Sequence, residues 1–324
     1  MFFVDALCIE NISTIDPEIG LLENQTIIIK AGKIIQISPS QDLQLVKENT
    51  IIDGTGKYMI PGLWDAHIHF SFIKEMAPNM LDLFLAYGIT SVRDTGGDIN
   101  FVNTWKEISL ANPTDAPRVM VAGPLLDGNP NVYEVLEVLK KNDTWQIPTL
   151  TLNTAFARRP FAAKDWQKSF SYLPKNIKEQ WLNYINNLVK SEVKPFDEKY
   201  AKWMFNMTKR VHNKGIKIMA GTDTPIFFLT PGLSLHEELA VLVEAGLSPL
   251  EALKSATTNP AAYFNLEKEL GKIAINNWAD LVILDANPLE DINNTKQINA
   301  VIKQGKYFNR EHLDGLLTNL TTKK

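Results

Sequence analysis

The chain has 324 residues, enough for about two domains, or for one barrel of eight βα units at ~250 residues with a small appendage. Its 45% apolar and 22% charged residues form an ordinary globular mix, which excludes a collagenous, disordered or coiled-coil chain. The 33 Lys+Arg against 37 Asp+Glu leave a net charge of −4, too balanced for a nucleic-acid binder, and the single Cys8 excludes a disulfide framework and a Cys-rich zinc module.

Met1-Phe2-Phe3-Val4-Asp5 has no basic stretch of the kind that opens a signal peptide, and no apolar run approaches the ~18 residues that span a bilayer. The expectation is a cytoplasmic protein with no membrane or nucleic-acid partner. Residues 1–57 read as short strands. Thr26–Lys30 and Lys33–Ile37 flank Ala31-Gly32, a two-residue hairpin loop with Gly where positive φ is needed. Thr50–Ile52 runs into Asp53-Gly54-Thr55-Gly56-Lys57, where a single residue between the glycines gives a turn and not a phosphate loop.

A parallel βα texture follows. Strands are expected at Tyr58–Phe70, Ile89–Arg93, Arg118–Ala122, Gln146–Leu150 and Ile216–Ala220, five where a complete barrel has eight. Helices are expected over Met80–Tyr87, closed by Gly88, and over Val132–Lys141. Another starts at Ser234, where Ser234-Leu235-His236-Glu237 has capping-box spacing, and one follows Ser248 with Pro249 in its first turn. Between Arg158 and Lys214, 13 Lys/Arg face 5 Asp/Glu, a local charge of +8 against −12 for the rest of the chain. Trp166, Trp181 and Trp203 punctuate this stretch, which reads as a helical insertion packing aromatic residues on the barrel, or as a site for an anionic ligand. The far end, Leu281–Leu284 and Ala300–Lys303 paired with Lys306–Phe308 across Gln304-Gly305, is β again. The expected organisation is a composite β-sandwich from residues 1–57 and 271–324 around a barrel-type unit at 58–270, with the helical insertion at 158–214.

Pro61-Gly62-Leu63-Trp64-Asp65-Ala66-His67-Ile68-His69-Phe70 carries the sharpest chemistry. In a strand, Asp65, His67 and His69 project from one face, so two imidazoles can reach one metal ion. Neutral imidazole suits zinc and its transition-series neighbours, and a hydrogen-bonded pair without metal is the plain alternative. Asp223, in Ala220-Gly221-Thr222-Asp223-Thr224-Pro225, ends a strand where barrel enzymes place reactive groups, although Asp before Thr-Pro also caps turns well.

Together these features resemble the metal-dependent amidohydrolase superfamily. The resemblance runs through Asp53–Gly62 into the His67/His69 pair, Gly88–Asp94, Gly221–Thr224, Leu247–Leu253, Thr258–Ala261, Leu270–Ile273, Ala279–Leu284 and Asn287–Leu289. Ser234-Leu235-His236-Glu237-Glu238-Leu239 looks like the imidazolonepropionase-like and prolidase-like branch. The resemblance implies a TIM (β/α)₈-type barrel with a β-sandwich from both termini. It implies metal ligation by His67 and His69, metal ligation and proton transfer by Asp223, and a substrate contact for His236, which as a neutral residue on a helix surface would equally need no function. The implied reaction is hydrolysis of carbon–nitrogen bonds other than peptide bonds, in linear or cyclic small-molecule amides, with a divalent ion as cofactor; the ligand types suit Zn²⁺, and two His with one carboxylate also suit non-haem iron.

The chain departs from that pattern in its centre. The branch normally supplies a Lys and two His from central strands, but the interval Leu125–Thr144 contains no His, and Lys140 and Lys141 fall in a helix-like run. Three units of ~31 residues each are absent, which leaves about five of eight and one metal rather than two. Open sheet edges would then rearrange, be covered by another copy in a homo-oligomer, or lower solubility. Against the hydrolase stand two other readings, a catalytically silent relative and a binding module for an anionic ligand.

Overall fold

Ala31 and Gly32 take φ of 50° and 78°, and Gln304 and Gly305 take 47° and 82°, so both two-residue loops adopt the left-handed pair that suits the twist of a hairpin. The computed structural model describes residues 5–43, 49–122 and 135–322. Its strands are β1 (Leu7–Asp16), β2 (Gly20–Lys30), β3 (Lys33–Pro39), β4 (Thr50–Asp53), β5 (Tyr58–Pro61), β6 (Leu63–Ile68), β7 (Ile89–Asp94), β8 (Arg118–Val121), β9 (Leu281–Leu284), β10 (Ile298–Lys303) and β11 (Lys306–Asn309).

One sheet runs β11-β10-β9-β5-β1-β2-β3, with β4 also on β1. The two chain ends therefore interleave, since β5 lies between β1 and β9. The sheet curls until its hairpin loops touch: a Cβ on Gly32 would stand 2.9 Å from the Gln304 carbonyl oxygen, and Gly305 N–H donates to Ala279. Ile9, Ile27, Ile34, Met59, Ile283 and Ile302 fill the interior of the curl. Neither end has enough strands to bury such a face alone.

The strand expected over Tyr58–Phe70 is two strands. β5 pairs with β1 and β9 in the curled sheet, and the chain crosses at Gly62 into the parallel sheet β6-β7-β8. Gly62 N–H donates to the Asp280 carbonyl at 2.7 Å, and a Cβ there would lie 2.3 Å from Thr90 Oγ1. Only glycine allows the two layers to approach so closely. Residues 58–61 thus pair with the terminal strands and not with the parallel set.

Parallel bridges Ile68↔Thr224 and Gln146↔Ile218 extend the parallel sheet on the β6 side. The spatial order is Gln146, then 216–224, then β6, β7 and β8. The stretches expected as strands at Gln146–Leu150 and Ile216–Ala220 are single bridges. Pro148 has no N–H to donate, and Thr149 turns with φ of 42° into a helix at Leu150–Asn153. Arg118–Ala122 and Gln146–Leu150, consecutive in the expected strand order, do not pair among the described residues; Gln146 pairs with Ile218 instead. Of the helix expected over Val132–Lys141, Val135–Lys141 is helical and 132–134 lie outside the described residues.

Ile68, Phe70, Phe84, Leu235 and Leu239 belong to the large core around the parallel segments. The helix Leu233–Glu244 starts from Gly232 at φ 84°, and Ser234 Oγ donates to the Thr230 carbonyl at 2.8 Å. The capping box expected there is absent. One forms at Ser248, whose hydroxyl accepts from Glu251 N–H at 3.3 Å while the Glu251 carboxylate accepts from Ser248 N–H at 2.8 Å. The basic stretch is largely helical, with Lys175–Leu188 and Pro195–Asn213 its main helices. Trp166 and Trp181 are buried with Phe161 and Phe170 against Phe228, and the Trp166 indole N–H donates to the Phe228 carbonyl at 2.9 Å. Trp203 is 46% exposed and stacks on Tyr200, ring centroids 6.0 Å apart.

Candidate metal centre

Strand alternation brings His67 and His69 to one face of β6, and backbone pairing brings Asp223 beside them. Asp223 N–H donates to the His67 carbonyl at 2.7 Å, and His69 N–H donates to the Thr224 carbonyl at 2.9 Å. Gly221 makes the approach possible, since a Cβ there would meet His67 Cβ at 2.7 Å and Ile147 Cγ2 at 2.6 Å. Asp223 itself sits in left-handed backbone at φ 65°, a conformation Asp tolerates better than most residues.

The ligating atoms form a triangle. His67 Nε2 lies 3.3 Å from His69 Nε2, and Asp223 Oδ1 lies 3.5 Å from the first and 3.0 Å from the second. Ligand atoms ~2.0–2.1 Å from a tetrahedral ion stand about 3.3 Å apart, so these spacings fit one zinc-like ion. Asp223 Oδ1 is buried and accepts no well-directed hydrogen bond, which leaves its lone pairs turned on the same point as the imidazoles. Among the described residues this is the group of three His, Cys, Asp or Glu able to share an ion.

Neighbouring groups set the protonation of the imidazoles. His69 Nδ1 is 2.9 Å from the Gly96 carbonyl, which can only accept, so Nδ1 carries the proton and Nε2 offers its lone pair. Burial pushes His67 down to about 4, helped by His69 and Arg93 against the pull of Asp223, and holds it neutral. Burial also lowers His69, but the Asp223 carboxylate and the Gly96 carbonyl more than reverse it, and its pKa is raised.

Three supporting contacts were not legible in the motifs. Asp65, wholly buried, accepts from Thr222 N–H at 3.0 Å and Thr222 Oγ1 at 2.7 Å, which pins the Asp223 segment to β6; burial raises its carboxyl to about 7. Asp94 accepts from Phe70 N–H at 2.8 Å and Gly96 N–H at 2.9 Å, so it shapes the loop whose carbonyl holds His69. The neighbouring Arg93 guanidinium lies over the Tyr263 ring, 5.3 Å from its centroid. Phe72 stacks on the His69 ring at 3.7 Å. The Gly96-Gly97 pair after Asp94 was the available sequence signal for a shaped loop.

His236 is not at this triangle. It is 0% exposed, its Nε2 donates to the Tyr87 carbonyl at 2.9 Å, and its Nδ1 is 3.0 Å from Thr295 Oγ1. Both ring nitrogens are used inside the fold, so the expected substrate contact is corrected to a structural one. Burial drives its pKa to about 4. Unfolded His takes a proton near 6.5, so the unfolded chain binds more protons between the two values and stability falls as pH falls through that window. From about pH 7 to 5 the wild type should lose about 2 kcal/mol more unfolding free energy than His236→Gln, read from urea titrations of both. Asp65 and Glu238, whose carboxyls burial raises to about 7, act with the opposite sign in both proteins and cancel in the difference.

Fold and triangle together place a candidate metal-binding group on the parallel sheet of an α/β chain. The family model described as Amidohydrolase family matches residues 172–307. An adenine deaminase from Desulforamulus reducens is 22% identical across 86% of this chain, and the chain spans only 54% of that protein. An imidazolonepropionase from Geobacillus sp. is 21% identical over 83% of the chain and 85% of the relative. Among solved structures, a Xaa-Pro dipeptidase with bound methionine has a TM-score of 0.74 at 17% identity, covering 94% of this chain and 100% of its own. The ochratoxinase of A. niger has a TM-score of 0.67 at 18% identity, covering 94% and 96%. The chain is thus similar, over residues 172–307, to the amidohydrolase family and, over most of its length, to an adenine deaminase and an imidazolonepropionase.

Proposed function

We propose that the chain is a metal-dependent hydrolase of non-peptide carbon–nitrogen bonds in small-molecule amides, with one divalent ion, zinc, held by His67, His69 and Asp223. The observation that carries the reading is the triangle of lone-pair atoms with sides of 3.0, 3.3 and 3.5 Å, one corner of it the buried Asp223 oxygen without a donor. When bound, the ion would supply Lewis acidity toward a carbonyl and toward water. The residues of the chain do the rest. Gly96 keeps the His69 proton on Nδ1, Asp65 and Thr222 hold the Asp223 segment at β6, and Asp223 is the carboxylate able to pass a proton to the leaving nitrogen.

In the same reading, residues 1–57 and 271–324, joined by β5, are one β unit and 62–270 are what remains of a TIM-type barrel, about five of eight units. The five parallel segments from Gln146 to β8 support this count. The absent units are also where the branch keeps its other metal ligands, which limits the site to one ion. A second copy is the natural cover for the outer edges. A cytoplasmic setting suits a chain whose single cysteine, Cys8, is buried and unpaired.

The test is metal content and activity together. Protein loaded with zinc and desalted should hold one ion per chain and hydrolyse members of a panel of linear and cyclic amides. Treatment with a chelator should remove both, and added zinc should restore them. Folded protein that retains no ion after loading would favour a silent relative of the family.

A further inference from the structure

The loop that carries Asp223 also carries an aromatic wall. Phe227 and Phe228 follow in left-handed backbone, at φ of 46° and 68°. Consecutive non-glycine residues in this region cost energy and persist only where packing holds them. Phe228 is that anchor, buried among Phe161 and Trp181 with its carbonyl bonded to the Trp166 indole. The consequence is that Phe227 points outward, 48% exposed, against Phe156 at 5.1 Å and 74°.

Facing it, the helix Pro195–Asn213 presents Phe196 and Tyr200, stacked at 6.1 Å and 7°, with Phe196 72% exposed. Leu152, Phe156, Phe196, Tyr200 and Phe227 line a cavity of about 250 Å³. That is below the ~300 Å³ at the small end of whole-ligand pockets, and fits one bulky group of a larger molecule. Its polar linings are spoken for: Tyr200 OH donates to Asn153 Oδ1 at 3.1 Å, and Asn153 Nδ2 donates to the Pro148 carbonyl at 3.0 Å. Asp197 at the rim repels an anionic substituent. Four residues reach at most ~14 Å, so Phe227 lies within one substrate length of Asp223.

We propose that this cavity is the specificity subsite of the enzyme, taking an uncharged aromatic side chain attached next to the amide that is cut. The proposal rests on reading His67, His69 and Asp223 as the amide-hydrolysing centre, and it adds the class of substrate. Aromatic rings suit the subsite because they offer large apolar area and edge-to-face partners to Phe156 and Phe227.

The test compares N-acetyl-phenylalanine amide with N-acetylglycine amide as probes, by ligand-observed NMR titration of the full chain. The aromatic probe should bind about ten-fold tighter or better, as burial of one ring implies. Phe196→Ala and Tyr200→Ala, both at exposed positions outside the metal triangle, should cut that preference to about three-fold or less. His67→Ala should leave the preference standing. Equal binding of the two probes, or a preference that neither cavity variant changes, overturns the subsite. Hydrolysis is scored separately. A variant-sensitive preference without hydrolysis upholds the subsite and overturns the metal-centre reading, whereas hydrolysis of both amides with equal kcat/KM overturns the subsite alone.

Discussion

His69→Ala should weaken zinc binding by well over about 100-fold and take amide hydrolysis to background, because losing even a partner that only orients a metal ligand typically costs ~10–100-fold. His69 is the corner of the triangle with most support: its Nδ1 is held by the Gly96 carbonyl, its ring by Phe72, and its Nε2 stands 3.0 Å from Asp223. Its removal leaves two protein ligands, fewer than the three that catalytic zinc sites use. Phe72→Leu is the graded control. It removes the stacked ring but no ligand atom, and should cost a small part of the affinity. Competition titrations with a chelator of known affinity measure both variants. His69→Ala that still holds one ion per chain would place the metal elsewhere.

Asp280→Asn should destabilise the fold by about 3–5 kcal/mol, a large share of the ~5–15 kcal/mol that holds most domains folded. The Asp280 carboxylate is nearly wholly buried, 2.8 Å from Lys303 Nζ and 3.2 Å from Arg118 Nη1, and accepts from Gln304 N–H at 2.9 Å. Burial alone would raise its carboxyl, but Lys303 and Arg118 more than reverse this and hold it below the usual range. Lys303, at 0% exposure, ends β10 of the curled sheet, whereas Arg118 opens β8 of the parallel sheet. The amide of Asn keeps the size and leaves the buried ammonium without its counter-charge, the costly half of breaking such a pair. The depressed carboxyl also means that this stabilisation is present at neutral pH and is lost in acid, as pH falls through the folded pKa. Asp285→Asn breaks the exposed pair with Lys57 and should shift stability by about 0.5 kcal/mol or less. Urea unfolding of the three proteins at neutral pH decides it, and an Asp280→Asn midpoint equal to wild type would refute the account.

Local rules were enough for everything in this chain that depends on neighbours in sequence. The Ala31-Gly32 and Gln304-Gly305 loops are readable because only certain residues tolerate positive φ, and His67 with His69 because alternate residues of a strand share a face. Asp223 was legible as a group at a strand end, but its place beside the imidazoles comes from backbone bonds to His67 and Thr224 across the parallel segments. Other features had no local sign at all. The clamp of Asp65 on Thr222 joins residues 157 apart, and Thr295, which holds His236, lies 59 residues beyond it. Ser234 has the spacing of a capping residue yet bonds back to Thr230, because the preceding turn is closed by Gly232 and the hydroxyl is drawn into the core. The division at Gly62 likewise depends on Thr90 and Asp280 arriving from other parts of the chain. Turns and strand faces follow from sterics within a few residues, whereas burial and partner choice follow from which distant segments pack together, and packing alone turned two histidines and an aspartate into one centre.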